Sequence, residues 1–174
     1  MKASDAVLIA KVVATGSHDA FAKLVEAHQA PVRRFLLRMT QGDAMRTDDL
    51  AQETFIRAWQ HIGDFQALAA FETWLIRIAY RCFIDDQRKM HQQSDSELHS
   101  LHLSSHSNSE LSYDIDKAMA TLSEAERTCI TLQCIEGYSI RDIAKITEMN
   151  ENTIKSHLSR GKHALAAFLK NNGY

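Results

Sequence analysis

The spacing of apolar residues divides this chain into two helical segments around one polar stretch. In the first segment Phe21, Leu24, Val25, His28, Val32, Phe35, Leu36 and Met39 recur at intervals of three and four. That is the stripe of a helix buried along one side. Pro31 predicts a local kink and Gly42-Asp43 a stop. A second helix is expected from Thr47 as N-cap, with Asp48 and Asp49 in its first turn. Its inward positions would be Leu50, Ala51, Phe55, Ala58, Trp59 and Ile62, and Gly63-Asp64 would end it. Phe65–Ala70 reads as a loop. A third helix follows from about Phe71, with Trp74, Leu75, Ile78, Ala79 and Cys82 on one side. No strand-like alternation is visible, so the segment predicts an antiparallel helical bundle.

The second segment is built from shorter helices. Ile115, Ala118, Met119 and Leu122 mark the first. Ser123-Glu124-Ala125-Glu126 is a capping box that opens the next, and Gly137 closes it. Ser139-Ile140-Arg141-Asp142 starts a third, with Ile140, Ile143, Ala144 and Ile146 inward. After Glu148-Met149-Asn150, a last helix carries Ile154, Leu158, Gly161, Leu165 and Phe168. Two short helices joined by a turn of about three residues, the second one basic, predict a helix-turn-helix. Between the segments, residues 91–112 hold eight serines and four histidines with few large apolar groups. Such a composition cannot bury a core, so a flexible linker is expected there. The chain is therefore read as all-α, with domains at 1–90 and 113–174 joined by the linker 91–112.

Charge changes the picture only when counted by segment. The net charge of −2 argues against nucleic acid by itself. Residues 1–90 are balanced, at 12 Lys/Arg to 11 Asp/Glu, while 91–112 carry three acids and no Lys or Arg. From Thr153 onward there are four bases, Lys155, Arg160, Lys162 and Lys170, and no acid. Cys82, Cys129 and Cys134 are odd in number and lack C-x-x-C spacing. They read as reduced, mostly buried thiols of a cytoplasmic protein, not a disulfide or zinc framework. The apolar runs Ala6–Ala10 and Val12–Ala14 are interrupted by charge, which excludes a signal peptide or membrane span.

In the last helix Thr153, Lys155, Ser156, His157 and Arg160 fall within two turns and lie off the Ile154/Leu158/Gly161 stripe. Small polar groups that reach base edges, with cations that meet phosphates, are what a recognition helix needs. This module alone indicates DNA binding and no more.

The first segment narrows the choice. Asp49-Leu50-Ala51-Gln52-Glu53-Thr54-Phe55-Ile56-Arg57-Ala58-Trp59 resembles the sigma-factor helix that docks on the polymerase clamp. Phe71-Glu72-Thr73-Trp74-Leu75-Ile76-Arg77-Ile78-Ala79-Tyr80 and Ile84-Asp85-Asp86-Gln87-Arg88-Lys89 resemble the helix that reads and melts the −10 element. Gly137–Ala144 and Asn152–Gly161 resemble the domain that binds the −35 element. In this order, with no domain between them, the motifs are similar to extracytoplasmic-function sigma factors.

The resemblance implies a transcription initiation factor that binds core RNA polymerase, at the beta-prime clamp and beta flap, and places it on promoter DNA. It implies no catalytic residues, cofactor, metal or membrane insertion, and an anti-sigma protein as a further partner. Asp49, Gln52 and Glu53 would face polymerase, and their i, i+3 and i, i+4 spacing puts them on one side of a helix. Phe65, Arg77, Tyr80, Arg81, Arg88 and Lys89 would border the melted −10 strand. Thr153, Lys155, Ser156, His157, Arg160 and Lys162 would meet the −35 duplex. Trp74 is read as core. Two positions depart from the family pattern. Arg81 stands where Asn is frequent, which bears on base preference and not on docking. Glu148 replaces the Gly common in the helix-turn-helix turn, where a left-handed residue would be strained.

Rival readings have less support. His99, His102 and His106, with His91, suggest a metal-sensing linker, but no cysteine or carboxylate pair completes a site. Asp85-Asp86 as metal ligands is opposed by the nearby arginines. No phosphate loop or H-E-x-x-H supports an enzyme. The alternative within transcription is a helix-turn-helix regulator that binds duplex DNA without polymerase. An interaction module that sequesters another regulator would not need the basic last helix.

Overall fold

The computed structural model describes residues 3–94, 115 and 117–172. The linker expected at 91–112 lies almost wholly outside them, as do His99, His102 and His106. The chain forms two compact units, Met1–Leu37 with Ala44–Leu101, and Arg38–Asp43 with His102–Tyr174. Among the described residues all regular structure is helical.

The first unit contains α1 (Ala3–Thr15), most of α2 (His18–Met39), α3 (Ala44–His61), a 3-10 turn at Ile62–Asp64, and α4 (Phe71–Ser94). Its core is the predicted α2 stripe, with Leu24, Val32, Phe35 and Leu36 sealed from water, closed by Leu75, Ile76, Ala79 and Phe83 of α4. Each of these side chains except that of Ala79 contributes about 1.5–3 kcal/mol by leaving water. The spacing left α1 unassigned, yet Asp5, Ile9 and Val12 form a buried stripe on it, and it rests against the 3-10 turn. Asp5 is buried because it faces His28, whose Nε2 is 3.4 Å from Asp5 Oδ2.

Pro31 lies inside α2, which continues past it. Two expectations are corrected here. Helix α3 begins at Ala44, not at Thr47, which is fully buried inside the helix. On α4 the inward face is rotated from the expected one. Ile76, Tyr80 and Phe83 are buried, while Trp74 and Ile78 are half-buried at its edge.

Helices α3 and α4 pack along one another and are tied by ion pairs. Arg46 Nε donates to Asp86 Oδ2 at 2.6 Å. Arg57 donates through Nε to Glu53 Oε1 at 2.6 Å and through Nη1 to Asp85 Oδ2 at 2.8 Å. Asp85 and Asp86 thus answer two arginines of α3. The bond to Asp85, then that to Glu53, raises the Arg57 pKa further above its ordinary value.

The second unit holds a helical stretch at 117–120, α5 (Glu124–Ile130) continuing into a π turn (Thr131–Ile135), α6 (Ile140–Thr147) and α7 (Glu151–Asn171). The capping box forms as expected: Ser123 N–H donates to Glu126 Oε2 at 3.2 Å, and Glu126 N–H to Ser123 Oγ at 3.4 Å. Gly137, at φ 76, ends the α5 path. Buried Arg127 donates to the carbonyls of Met119 and Leu122, closing the preceding turn. Of the three cysteines, Cys82 and Cys129 are buried. Burial raises both thiol pKa values, that of Cys129 to about 11, so these groups stay protonated and inert.

Glu148 closes α6 at φ 63, ψ 13, the left-handed conformation that the missing glycine foretold. A residue with a Cβ pays about 1–2 kcal/mol there. Glu148→Gly is expected to raise the stability of this unit by about 1 kcal/mol, after allowing for the greater freedom of glycine in the unfolded chain. Urea denaturation would check it; an unchanged or lower midpoint would refute the strain.

Candidate nucleic-acid and docking surfaces

Helix α3 presents one continuous outward stripe. At about 100° per residue, Met45, Asp49, Gln52 and Ile56 lie within roughly 60° of arc. Asp49 and Gln52 are exposed, and the apolar side chains beside them are too, Met45 at 79% and Ile56 at 45%. Glu53 belongs to the flank, where it holds Arg57. The predicted trio is therefore split: two residues face outward, and the third bonds Arg57 within α3. Met45 and Ile56 were missed because a lone exposed apolar residue on a helix leaves no mark on the buried-stripe pattern. At the end of the stripe Trp59 is covered by His18, stacked at 4.5 Å, and by the edge of Phe21 at 5.1 Å.

On α4 a second strip runs along the exposed edge. Trp74, Arg77, Arg81 and Arg88 share about 60° of arc. Arg81 and Arg88 are exposed and Arg77 is half-buried. Lys89 is exposed about a quarter turn away. Tyr80 does not share this surface, being only 9% exposed, because it lies on the side of α4 that packs into the bundle. Phe65 is half-buried, with its ring 5.4 Å from Phe71 and 5.5 Å from Trp74. Phe71 and Trp74 also stack, at 5.4 Å. This aromatic cluster anchors the base of the loop. Gln66, Ala67 and Leu68 are held out at its tip, Leu68 being 80% exposed and Ala67 left-handed at φ 55.

The helix-turn-helix is fixed by side-chain caps at both helix starts. Ser139 Oγ accepts from Asp142 N–H at 3.1 Å. Asn150 Oδ1 accepts from Thr153 N–H at 2.8 Å. Ile154, Leu158 and Gly161 turn inward as the spacing required. Directly opposite them Asn152, Lys155, Ser156, Ser159 and His163 share about 100° of exposed arc. Asn152, Ser159 and His163 are additions to the predicted set. An open hollow of about 630 Å³ lies at the start of α7, lined by Asn150, Glu151, Asn152, Thr153 and Ser156. Thr153, His157 and Arg160 stand on one flank. Arg160 Nε donates to Glu126 Oε1 at 3.0 Å, and its Nη2 lies 2.9 Å from His157 Nδ1. Lys162, on the other flank, donates to Gln133 Oε1 at 2.9 Å.

The bonds from Ser123, and then Arg160, hold the Glu126 carboxyl below its ordinary pKa of 4.5. Its contribution to stability is present above that value and lost as pH falls through the lower folded value. Glu126→Gln is therefore expected to flatten the acid limb of the stability curve, in urea melts from about pH 6 to pH 3. An unchanged acid limb would remove Glu126 from acid sensitivity.

Comparison with known proteins identifies the family. The family profile Sigma-70 region 2 matches residues 24–93, and Sigma-70, region 4 matches residues 112–165. The ECF RNA polymerase sigma factor SigW of Bacillus subtilis is 32% identical over 177 residues, spanning 92% of this chain and 94% of that protein. The chain belongs to the ECF sigma factors. SigM of Mycobacterium tuberculosis, another ECF member, is 29% identical and spans 95% of this chain and 85% of its own length. The sigma factor RpoE of Bartonella quintana, solved in complex with the anti-sigma factor NepR, superposes with a TM-score of 0.73 at 28% identity. That match covers 86% of this chain and 96% of RpoE. As a sigma factor the protein is a transcription initiation factor that directs RNA polymerase to promoters. Among the described residues of this sigma factor no helix is long and apolar enough to cross a membrane.

Proposed function

We propose that the work of initiation is divided among three surfaces of this sigma factor. The α3 stripe Met45/Asp49/Gln52/Ile56 docks on the polymerase clamp. The α4 strip Arg77/Arg81/Arg88 and the loop 65–70 hold the unpaired −10 strand. The outward side of α7 enters the major groove at the −35 element. The observation that carries this reading is the pairing, in one chain, of an exposed apolar-acidic docking stripe with a capped helix-turn-helix. A regulator that binds duplex DNA alone has no use for the first.

Each surface has the chemistry for its part. Apolar residues flanking polar ones form the desolvated centre that protein interfaces use. Arginines along a helix follow a phosphate backbone, and a loop hung on aromatic rings suits an extruded base. On α7, Asn152 and Ser156 have the reach to bond base edges, Lys155 can bond a base edge or a phosphate, and Arg160 and Lys162 flank them. Tyr80 would act by packing beneath the α4 strip. On this reading the protein works in the cytoplasm by binding and positioning, with no catalytic step of its own. An anti-sigma protein that covers one of these surfaces would hold it inactive.

The test is transcription from fragmented genomic DNA by purified core polymerase with and without this protein, followed by sequencing of the 5′ ends. Start sites that depend on the protein and share two upstream elements are expected. Tight binding to duplex DNA without polymerase, and no initiation, would favour the regulator instead.

A further inference from the structure

The contact between Arg160 and His157 restricts His157 in a way that sequence alone does not. A guanidinium has N–H donors and no acceptor. At 2.9 Å from Arg160 Nη2, the Nδ1 of His157 must therefore offer its lone pair. A neutral imidazole that accepts at one nitrogen carries its proton on the other. The proton is thus on Nε2, which diverges from the arginine. A second bond, from Arg160 Nε to Glu126 Oε1 at 3.0 Å, directs the guanidinium toward the ring. Glu126 in turn is fixed by the backbone N–H of Ser123 at 3.2 Å. A chain of three bonds leads from the cap of α5 to the half-exposed ring of His157 on α7.

We propose that Glu126 and Arg160 set His157 as a neutral Nε2–H donor, and that this donor bonds a backbone phosphate flanking the −35 element. The inference rests on α7 being the −35 helix. His157 stands on the flank of the outward face and not at its centre. That is where a helix seated in the major groove passes the sugar-phosphate edge, and phosphate contacts there fix register without reading sequence. In this arrangement Arg160 is a positioning residue for the ring, and Lys155 supplies charge.

Two measurements test it. In the full-length protein at about pH 8, above the ordinary histidine range, nitrogen-15 NMR is expected to find the His157 proton on Nε2. Nδ1 should show the shift of a hydrogen-bonded acceptor, and Arg160→Met should move it to the free-acceptor position. A proton on Nδ1, or no change in Arg160→Met, overturns the assignment.

The second measurement uses holoenzyme on a duplex carrying the −35 element of a promoter recovered by the transcription experiment. The amide of glutamine reaches about as far as Nε2, and that of asparagine only about as far as Nδ1. His157→Gln should bind within about threefold of wild type, and His157→Asn should lose at least tenfold, about the value of one bond to a charged acceptor. Because the donor is neutral, His157→Asn should leave the salt dependence unchanged, whereas Lys155→Ala should lower its slope by about 0.9. Equal losses in the Gln and Asn variants, or a reduced slope in His157→Asn, defeat the proposal. Wild-type holoenzyme indifferent to the −35 duplex would defeat the reading of α7 beneath it.

Discussion

Ile56→Asp is expected to lower the affinity for core RNA polymerase by about 30-fold or more, the effect of losing a hot spot of about 2 kcal/mol. Ile56 sits between the ends of the outward α3 stripe, close to Asp49 and Gln52, and is 45% exposed. An isoleucine half in water gains little from the fold, so the substitution should leave thermal unfolding almost unchanged. In a complex the new carboxylate would have to be stripped of water beside Asp49 with no cation supplied. Equilibrium binding of fluorescently labelled protein to core polymerase measures the loss, and a circular-dichroism melt controls for folding. Affinity within threefold of wild type would mean that polymerase docks elsewhere. Met45→Asp, at the exposed end of the stripe, should cost less.

Gly161→Val is expected to destabilise the second unit by about 2–3 kcal/mol and to abolish −35-dependent initiation. Helix α7 crosses α5 at this glycine. A Cβ placed there would sit 2.9 Å from Ile130 Cγ1, 3.3 Å from its Cδ1 and 3.6 Å from Glu126 Cβ. Ile130 is buried and cannot swing aside, so the helices must part or the side chains leave their rotamers. Alanine brings the same first contact, but its helix propensity returns about 1 kcal/mol, so Gly161→Ala should be clearly milder. Urea denaturation gives the values. A double-mutant cycle with Ile130→Ala should show favourable coupling of at least about 1 kcal/mol. Additive effects would place the cost of valine somewhere other than this contact.

The helical stripes were legible in the sequence because burial and helix periodicity agree there: Leu24, Val32, Phe35 and Leu36, and later Ile154, Leu158 and Gly161. The caps at Ser123 and Ser139 were legible for the same local reason. What escaped depends on neighbours distant in sequence. Helix α1 is nearly uniformly apolar, so its inward side is chosen only by His28 and the 3-10 turn it meets. Thr47 has the chemistry of a cap but is needed inside α3. Tyr80 and Trp74 exchange their expected places because the packing angle of α4 turns its face by part of a turn. On the proposed reading, the sequence points to the two helices that carry the surfaces, and to their outermost residues only in part. Met45, Ile56, Asn152, Ser159 and His163 would contribute by being exposed, and exposure beside a partner surface has no signature in one chain.

The ion pairs of Arg46 and Arg57 tie α3 to α4. On the proposed reading, a displacement of α3 against polymerase would be carried, as a lever carries it, to the arginine strip of α4. Genetics offers a way to see this. Alterations of the polymerase surface under α3 should change which −10 sequences are used, not only how much transcript is made. Severing the bonds, as in the pair Asp85→Asn and Asp86→Asn, should make promoter choice indifferent to them.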